Sequence, residues 1–238
     1  MTKTRLDQLL VQKGLVSSRS QAESWIGLGK VTVDGKVALK SGQFVANHAV
    51  LKLTAKERYV SRAGLKLASV ATLLGVEFTH KTVLDVGSST GGFTDYALQH
   101  GAAKVIAVDV GTEQLHPQLR NNQRIELHEK TDIREFTTHE TIDIVVIDVS
   151  FISLRDILPS VVAIAPTAQI IAMVKPQFEA GKAQINKGII KNDAVRRQIL
   201  KDFELWTKST FKILDKRDSE VAGAKGNRER FYLLTSIR

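Results

Sequence analysis

The sequence predicts an α/β protein built on a mostly parallel sheet, with a small basic α+β domain ahead of it. Three observations carry this. Apolar runs of strand length, "VLDV", "KVIAV", "IDIVVI" and "AQIIAMV", alternate with stretches of helical spacing; that alternation implies a parallel sheet covered on both faces. The ends of these runs carry charge: Asp85, Asp109 and Asp148 at three of them, Lys175 at the fourth. The first 58 residues hold ten Lys or Arg against four Asp or Glu, whereas the other 180 add only +3 to a net charge of +9.

A chain of 238 residues is long enough for one large domain and a small one. It has no cysteine, which removes disulfides, Cys-ligated zinc and thiol catalysis and fits a reducing compartment. No apolar run approaches the ~20 residues that span a bilayer. The start, "MTKTRLDQLL", lacks the ~7–15-residue apolar core of a signal peptide. A soluble, cytoplasmic protein with no membrane association is expected. His48, His80, His100, His116, His128 and His139 show no metal-ligand spacing, so no metal is assigned.

In the basic region, Leu6, Leu9, Leu10 and Leu15 mark a short amphipathic helix that Gly14 closes. Ser17 or Ser18 can cap a second helix ending at Gly29. "VTVDGKVAL" alternates around Asp34-Gly35, a hairpin signal, and "AVLKLTA" supplies a further strand. The boundary is placed near Arg58–Ser61, giving domains 1–58 and 59–238. Ser61 can then cap a helix carrying Leu65, Leu67, Val70, Leu73 and Leu74, with Lys66 near its start.

The strand ending at Asp85 leads into Gly87, Ser88, Ser89, Gly91, Gly92 and Phe93. Neither the dinucleotide pattern G-x-G-x-x-G nor the phosphate loop G-x-x-x-x-G-K-[ST] is present. An acid at the strand end repels phosphate. It suits a cationic ligand with amino and hydroxyl donors, such as S-adenosylmethionine, and Gly87 and Gly91 let backbone approach it closely. Asp109, 24 residues on, stands where an acid usually binds ribose hydroxyls. Asp132 can accept from an adenine amino group, or simply cap a helix, and Ile133 can pack on the ring. Asp148 and Lys175 then bring a carboxylate and an ammonium to the carboxyl edge, where ligands bind in such sheets. This pairing suits methyl transfer to a hydroxyl, because a lysine in its neutral form can accept the departing proton. Glu229, between Arg228 and Arg230, reads from spacing alone as a surface charge. The stretch "FEAGKAQINKGIIKNDAVRRQ", with Lys182, Lys187 and Lys191, reads as a long loop and helix start: a lid that meets RNA, or an exposed connector.

"RLDQLLVQKGLVSSRSQAESWIGLGKVTVDGK" resembles the S-four RNA-binding domain, in which a helix pair presents basic side chains to structured RNA. The resemblance implies RNA contacts from Arg5, Lys13, Arg19 and Lys30, with Arg62 just beyond. The pattern D-x-G-x-x-x-G-G resembles the first motif of class I methyltransferases, which implies a Rossmann-like sheet with its last strand, from Phe231 to Ile237, antiparallel. Together "SRAGLKL", "LDVGSSTGGFTD", "VDVSFISL", "VKPQFE" and "GNRERF" resemble the TlyA family, an S-four domain joined to an FtsJ-like 2′-O-methyltransferase domain. That resemblance implies a catalytic tetrad of Lys66, Asp148, Lys175 and Glu229. It also implies a target cytidine in ribosomal RNA or an assembled subunit, with the family's shorter form associated with the large subunit. A non-catalytic RNA-binding factor, a membrane-active haemolysin and a nicotinamide-dependent oxidoreductase are the rivals. The last lacks its glycine fingerprint, and the haemolysin lacks an apolar span.

Overall fold

In the computed structural model, residues 2–16, 19–27, 29–54, 59–180, 190, 192–221 and 227–237 are described. The capping residues Ser17 and Ser18, the boundary residue Arg58, and Lys182, Lys187 and Lys191 lie outside them. The chain divides into two units, Met1–Arg62 and Ala63–Arg238.

The first unit runs β1 (Lys3–Arg5), α1 (Leu6–Gln12), α2 (Arg19–Gly27), β2 (Val31–Val33), β3 (Lys36–Val37), β4 (Phe44–Ala46) and β5 (Leu51–Leu53). The leucines of α1 face inward, with Leu6, Leu9 and Leu10 buried, as are Ala22 and Ile26 of α2. Asp34 and Gly35 both adopt left-handed backbone, φ 49 and 79, which a two-residue hairpin needs to match strand twist. They join β2 to β3, and β5 pairs antiparallel on the other side of β2. The β1–β4 ladder has no counterpart in the sequence reading, because three-residue strands are too short to show alternation.

The second unit contains α3 (Arg62–Ala71), whose first residue ends the first unit, then β6 (Thr82–Val86), α4 (Gly92–Gln99), β7 (Lys104–Val108), α5 (Pro117–Arg120), β8 (Ile125–His128) and β9 (Ile144–Ile147). It continues with α6 (Leu154–Ile164), β10 (Gln169–Val174), α7 (Pro176–Glu179), α8 (Asp193–Thr207), β11 (Phe211–Asp218) and β12 (Arg230–Ser236). Leu67 and Val70 form the buried stripe of α3; Leu73, expected on it, is exposed because the helix stops at Ala71.

Seven strands form one sheet in the order β11-β12-β10-β9-β6-β7-β8. β12 is antiparallel to both neighbours, and the strands from β10 to β8 are parallel. This is the mostly parallel sheet that the sequence predicts. Every residue of β9 is buried, as is all of β10 but its first residue. β11 was not foreseen, since the charges of "FKILDKRD" mask its alternation. The order reverses at β6: the chain builds outward through β7 and β8, then returns to β9. Such a reversal opens a crevice at the carboxyl ends of the strands.

Asp85 is fully buried within β6 and accepts a 2.6 Å hydrogen bond from Thr94 Oγ1 of α4. Burial pushes its carboxyl up to about 7, against an unfolded value of about 3.9. Between those values the folded chain holds a proton that the unfolded chain releases. This group's contribution to stability therefore falls as pH rises from about 4 to 7 and is flat above, by on the order of 4 kcal/mol. Asp85→Asn is expected to flatten that slope in urea unfolding measured from pH 4 to 8. An unaltered slope would show that another group sets it.

Candidate active site

The carboxyl ends of β6, β7, β8 and β9 surround a cavity of ≈ 380 Å³. Of the residues expected at the cofactor, Gly87, Ser89, Asp109, Asp132, Ile133 and Asp148 line it. Among the described residues its lining contains three carboxylates and no lysine or arginine. Val86, Val108, Ile133 and Ile157 supply apolar walls. That chemistry fits S-adenosylmethionine, which offers an amine, a sulfonium, a diol and a flat base but no phosphate.

Asp85, Ser88, Gly91, Gly92 and Phe93 stand outside the lining. Asp85 is fully buried, and its Oδ2 accepts from Thr94. Ser88 is 5% exposed, and Gly92 and Phe93 are buried in the first turn of α4. The glycines also have a cause within the protein itself. At Gly87 (φ +81) an added Cβ would stand 2.7 Å from the carbonyl oxygen of Asp148. At Gly91 (φ +92) it would stand 2.5 Å from Leu119 Cδ1 and 2.7 Å from Leu115 Cδ1. Both make room for the protein's own neighbouring segments.

Asp109 accepts from the backbone N–H of Ser89 (2.8 Å) and of Gly111 (2.7 Å), one at each oxygen. It thereby ties the glycine loop to the end of β7, and each oxygen keeps a second lone pair for a hydroxyl. Asp132 accepts from the backbone N–H and side chain of Arg134, whose guanidinium holds its carboxyl below the usual range. It thus serves as a local turn former while facing the cavity.

The four expected catalytic residues form two ion pairs. Lys175 Nζ lies 2.6 Å from Asp148 Oδ1, and Lys66 Nζ lies 2.5 Å from Glu229 Oε2. The sheet register brings the pairs together. Met173 faces Phe231 and Val174 faces Arg230 across β10 and β12, so the next step along each strand sets Lys175 beside Glu229. Pro176 holds Lys175 extended (φ −105, ψ 100) and opens α7. Lys66, Lys175 and Glu229 are 7%, 9% and 3% exposed, so Glu229 is not the surface charge that its spacing indicates. Buried ion pairs stabilise poorly, because desolvation offsets their attraction; two at one sheet edge point to chemistry instead.

Sequence reasoning missed Ser150, whose Oγ accepts from Lys175 Nζ at 2.7 Å. It lies inside the "DVSF" run, where the signal was available. Phe151, at the cavity rim, was also missed; it is 90% exposed at φ +67, with its ring 5.2 Å from that of Phe178.

In the first unit, Asp7 gathers two of the expected RNA-binding residues. It accepts from Arg5 Nε (3.1 Å) and Nη2 (2.8 Å) and from Arg19 Nη2 (2.9 Å). Arg5 chiefly lowers its carboxyl to about 2. Lys13 instead donates to the carbonyl of Ala49, Lys30 is exposed, and Arg62 is half-buried at the start of α3. Among the described residues no cluster of His, Asp and Glu could hold a metal ion, and no helix is long and apolar enough to cross a membrane.

Gly75 has φ +65 with nothing within 4 Å of an added Cβ, so it separates backbone strain from close approach. Gly75→Ala is expected to cost about 1 kcal/mol. Gly87→Ala should cost up to about 3 kcal/mol more, because the Asp148 carbonyl must move. Equal thermal shifts for the two variants would show that the approach at Gly87 is unimportant.

The model of the FtsJ-like methyltransferase family matches residues 59–236, and that of the S4 domain matches residues 4–50. The 16S/23S rRNA (cytidine-2′-O)-methyltransferase TlyA of Mycobacterium tuberculosis is 42% identical over 197 residues, covering 80% of this chain and 74% of its own length. The 23S rRNA (cytidine-2′-O)-methyltransferase TlyA of Campylobacter jejuni is 43% identical over 179 residues, covering 74% of this chain and 70% of its own. A solved structure from Streptococcus thermophilus, described as a hemolysin, is 37% identical with a TM-score of 0.77, covering 99% of this chain and 89% of that one. With both domain models matched in order and the paired lysines and acids at one sheet edge, the chain belongs to the TlyA family of S4-linked, FtsJ-like methyltransferases.

Proposed function

We propose that this protein methylates the 2′-hydroxyl of a cytidine in ribosomal RNA, using S-adenosylmethionine. The contact of Lys175 with Asp148 and Ser150 at the rim of a phosphate-rejecting cavity carries the reading. When bound, the cofactor would supply an electrophilic methyl group, its C–S bond breaking as the O–C bond forms, with S-adenosylhomocysteine as the leaving group. Asp109 would hold the ribose diol of that cofactor and Ile133 its base. Lys175, once it has released one proton from its resting ammonium, orients the target 2′-hydroxyl and takes its proton as the new bond forms. Asp148 and Ser150 fix the amine and stabilise the ammonium it becomes. Lys66 and Glu229 hold the substrate ribose at the same edge. Large-subunit RNA is the proposed target, and the cytoplasm the proposed location. Arg5 and Arg19, aimed by Asp7, bind phosphates of structured RNA.

Lys175→Ala should abolish methyl transfer from labelled S-adenosylmethionine to ribosomal RNA while cofactor affinity stays within about threefold; substantial turnover in this variant contradicts the assigned role. Replacing both Arg5 and Arg19 by Ala should weaken RNA binding and reduce the slope of log K against log salt by about 1–2. An unchanged slope would remove these two residues from the interface.

A further inference from the structure

Two segments converge on the reacting edge: residues 148–154, after β9, and residues 175–179, after β10. They are tied at two places. Near the strand ends, Lys175 Nζ reaches Asp148 Oδ1 (2.6 Å) and Ser150 Oγ (2.7 Å). At the far ends, Glu179 Oε2 accepts from Ser153 Oγ at 2.6 Å, and Glu179 Oε1 from the backbone N–H of Leu154 at 2.7 Å. Arg155 Nε makes only a long contact, 3.8 Å, with the same carboxylate, and the Glu179 side chain is 1% exposed. Between the ties sits Phe151 in left-handed backbone, a conformation that persists only where its surroundings impose it.

We infer that Glu179 is a positioning residue for methyl transfer: its carboxylate holds the 148–154 segment in the conformation in which Asp148 and Ser150 meet Lys175. The inference rests on the proposed role of Lys175. A plain helix cap does not account for Glu179. Ser153 already caps α6 by accepting from the N–H of Arg155, and Glu179 joins that cap to the segment bearing Lys175. Burial also pushes the Glu179 carboxyl up, an energetic cost that an exposed cap avoids.

The test uses the full chain with ribosomal RNA from a host lacking the modification. Glu179→Ala should lower kcat about tenfold or more and leave KM for RNA within about threefold. Hydrogen exchange at amides 148–156 of the free protein should rise, while β6 and β7 stay unchanged. Glu179→Gln keeps an acceptor for Leu154 and a donor for Ser153, and should recover kcat to within about threefold of the parent. Near-parental kcat in Glu179→Ala, or a Gln variant as slow as the Ala variant, overturns the inference; so does lost kcat without faster exchange. Should Glu179→Ala fail to fold, Ser153→Ala removes one of the two bonds. It should raise exchange in the same segment and slow turnover, and no change in either overturns the inference. Absence of methyl transfer by the parent protein would refute the proposed function instead, and the exchange comparison would still decide whether Glu179 holds the segment.

Discussion

A lysine ammonium buried 2.6 Å from a carboxylate is the contact on which this edge of the sheet depends. Taking either charge out of water alone costs several kcal/mol, so Lys175 and Asp148 must be delivered together. The sheet does this with parallel strands: β9 ends one residue before Asp148, and β10 ends one residue before Lys175. The adjacent antiparallel β12 then places Glu229, which neutralises Lys66. Its neighbours are fixed in turn. Asp218 binds Arg196 and Arg230, and Arg196 also donates to the carbonyl of Arg228. The antiparallel final strand is therefore part of the site, because it alone lets a residue at a strand's start stand beside one at a strand's end.

Selectivity at the cavity comes from the sign of its charge. Carboxylates at Asp109, Asp132 and Asp148, with no cation among the described lining residues, disfavour a phosphate and favour an amine or a sulfonium. The glycine loop contributes shape more than contact. Its turn is fixed by the Ser89–Asp109 hydrogen bond and by the space Gly87 and Gly91 leave for Asp148, Leu115 and Leu119.

Acids at the ends of apolar runs were legible in the sequence because a parallel sheet exposes only its strand ends, and there a charge survives. The hairpin at Asp34-Gly35 was legible because two adjacent positive φ angles demand those residue types. β11 was not, since an edge strand with charged outward positions has no clear apolar period. The β1–β4 ladder was too short. Glu229 shows a further limit: flanked by arginines it looks solvated, yet just ahead of β12 it is buried while Arg228 is exposed. Asp85 shows the converse. A strand-ending acid reads as a ligand contact, but this one precedes Val86 within the strand and turns into the protein interior.

One device recurs in both units. Asp7 fixes Arg5 and Arg19, Asp148 fixes Lys175, Glu229 fixes Lys66, and Asp218 fixes Arg196 and Arg230. In a chain of net charge +9, solvated lysines and arginines would attract any polyanion without regard to orientation. A carboxylate beside these cations lowers the total attraction but leaves the remaining N–H groups pointing in defined directions. For the proposed transfer to one 2′-hydroxyl among many identical ones, direction is worth more than attraction. The acids of this protein are on this view the means by which its cations become specific.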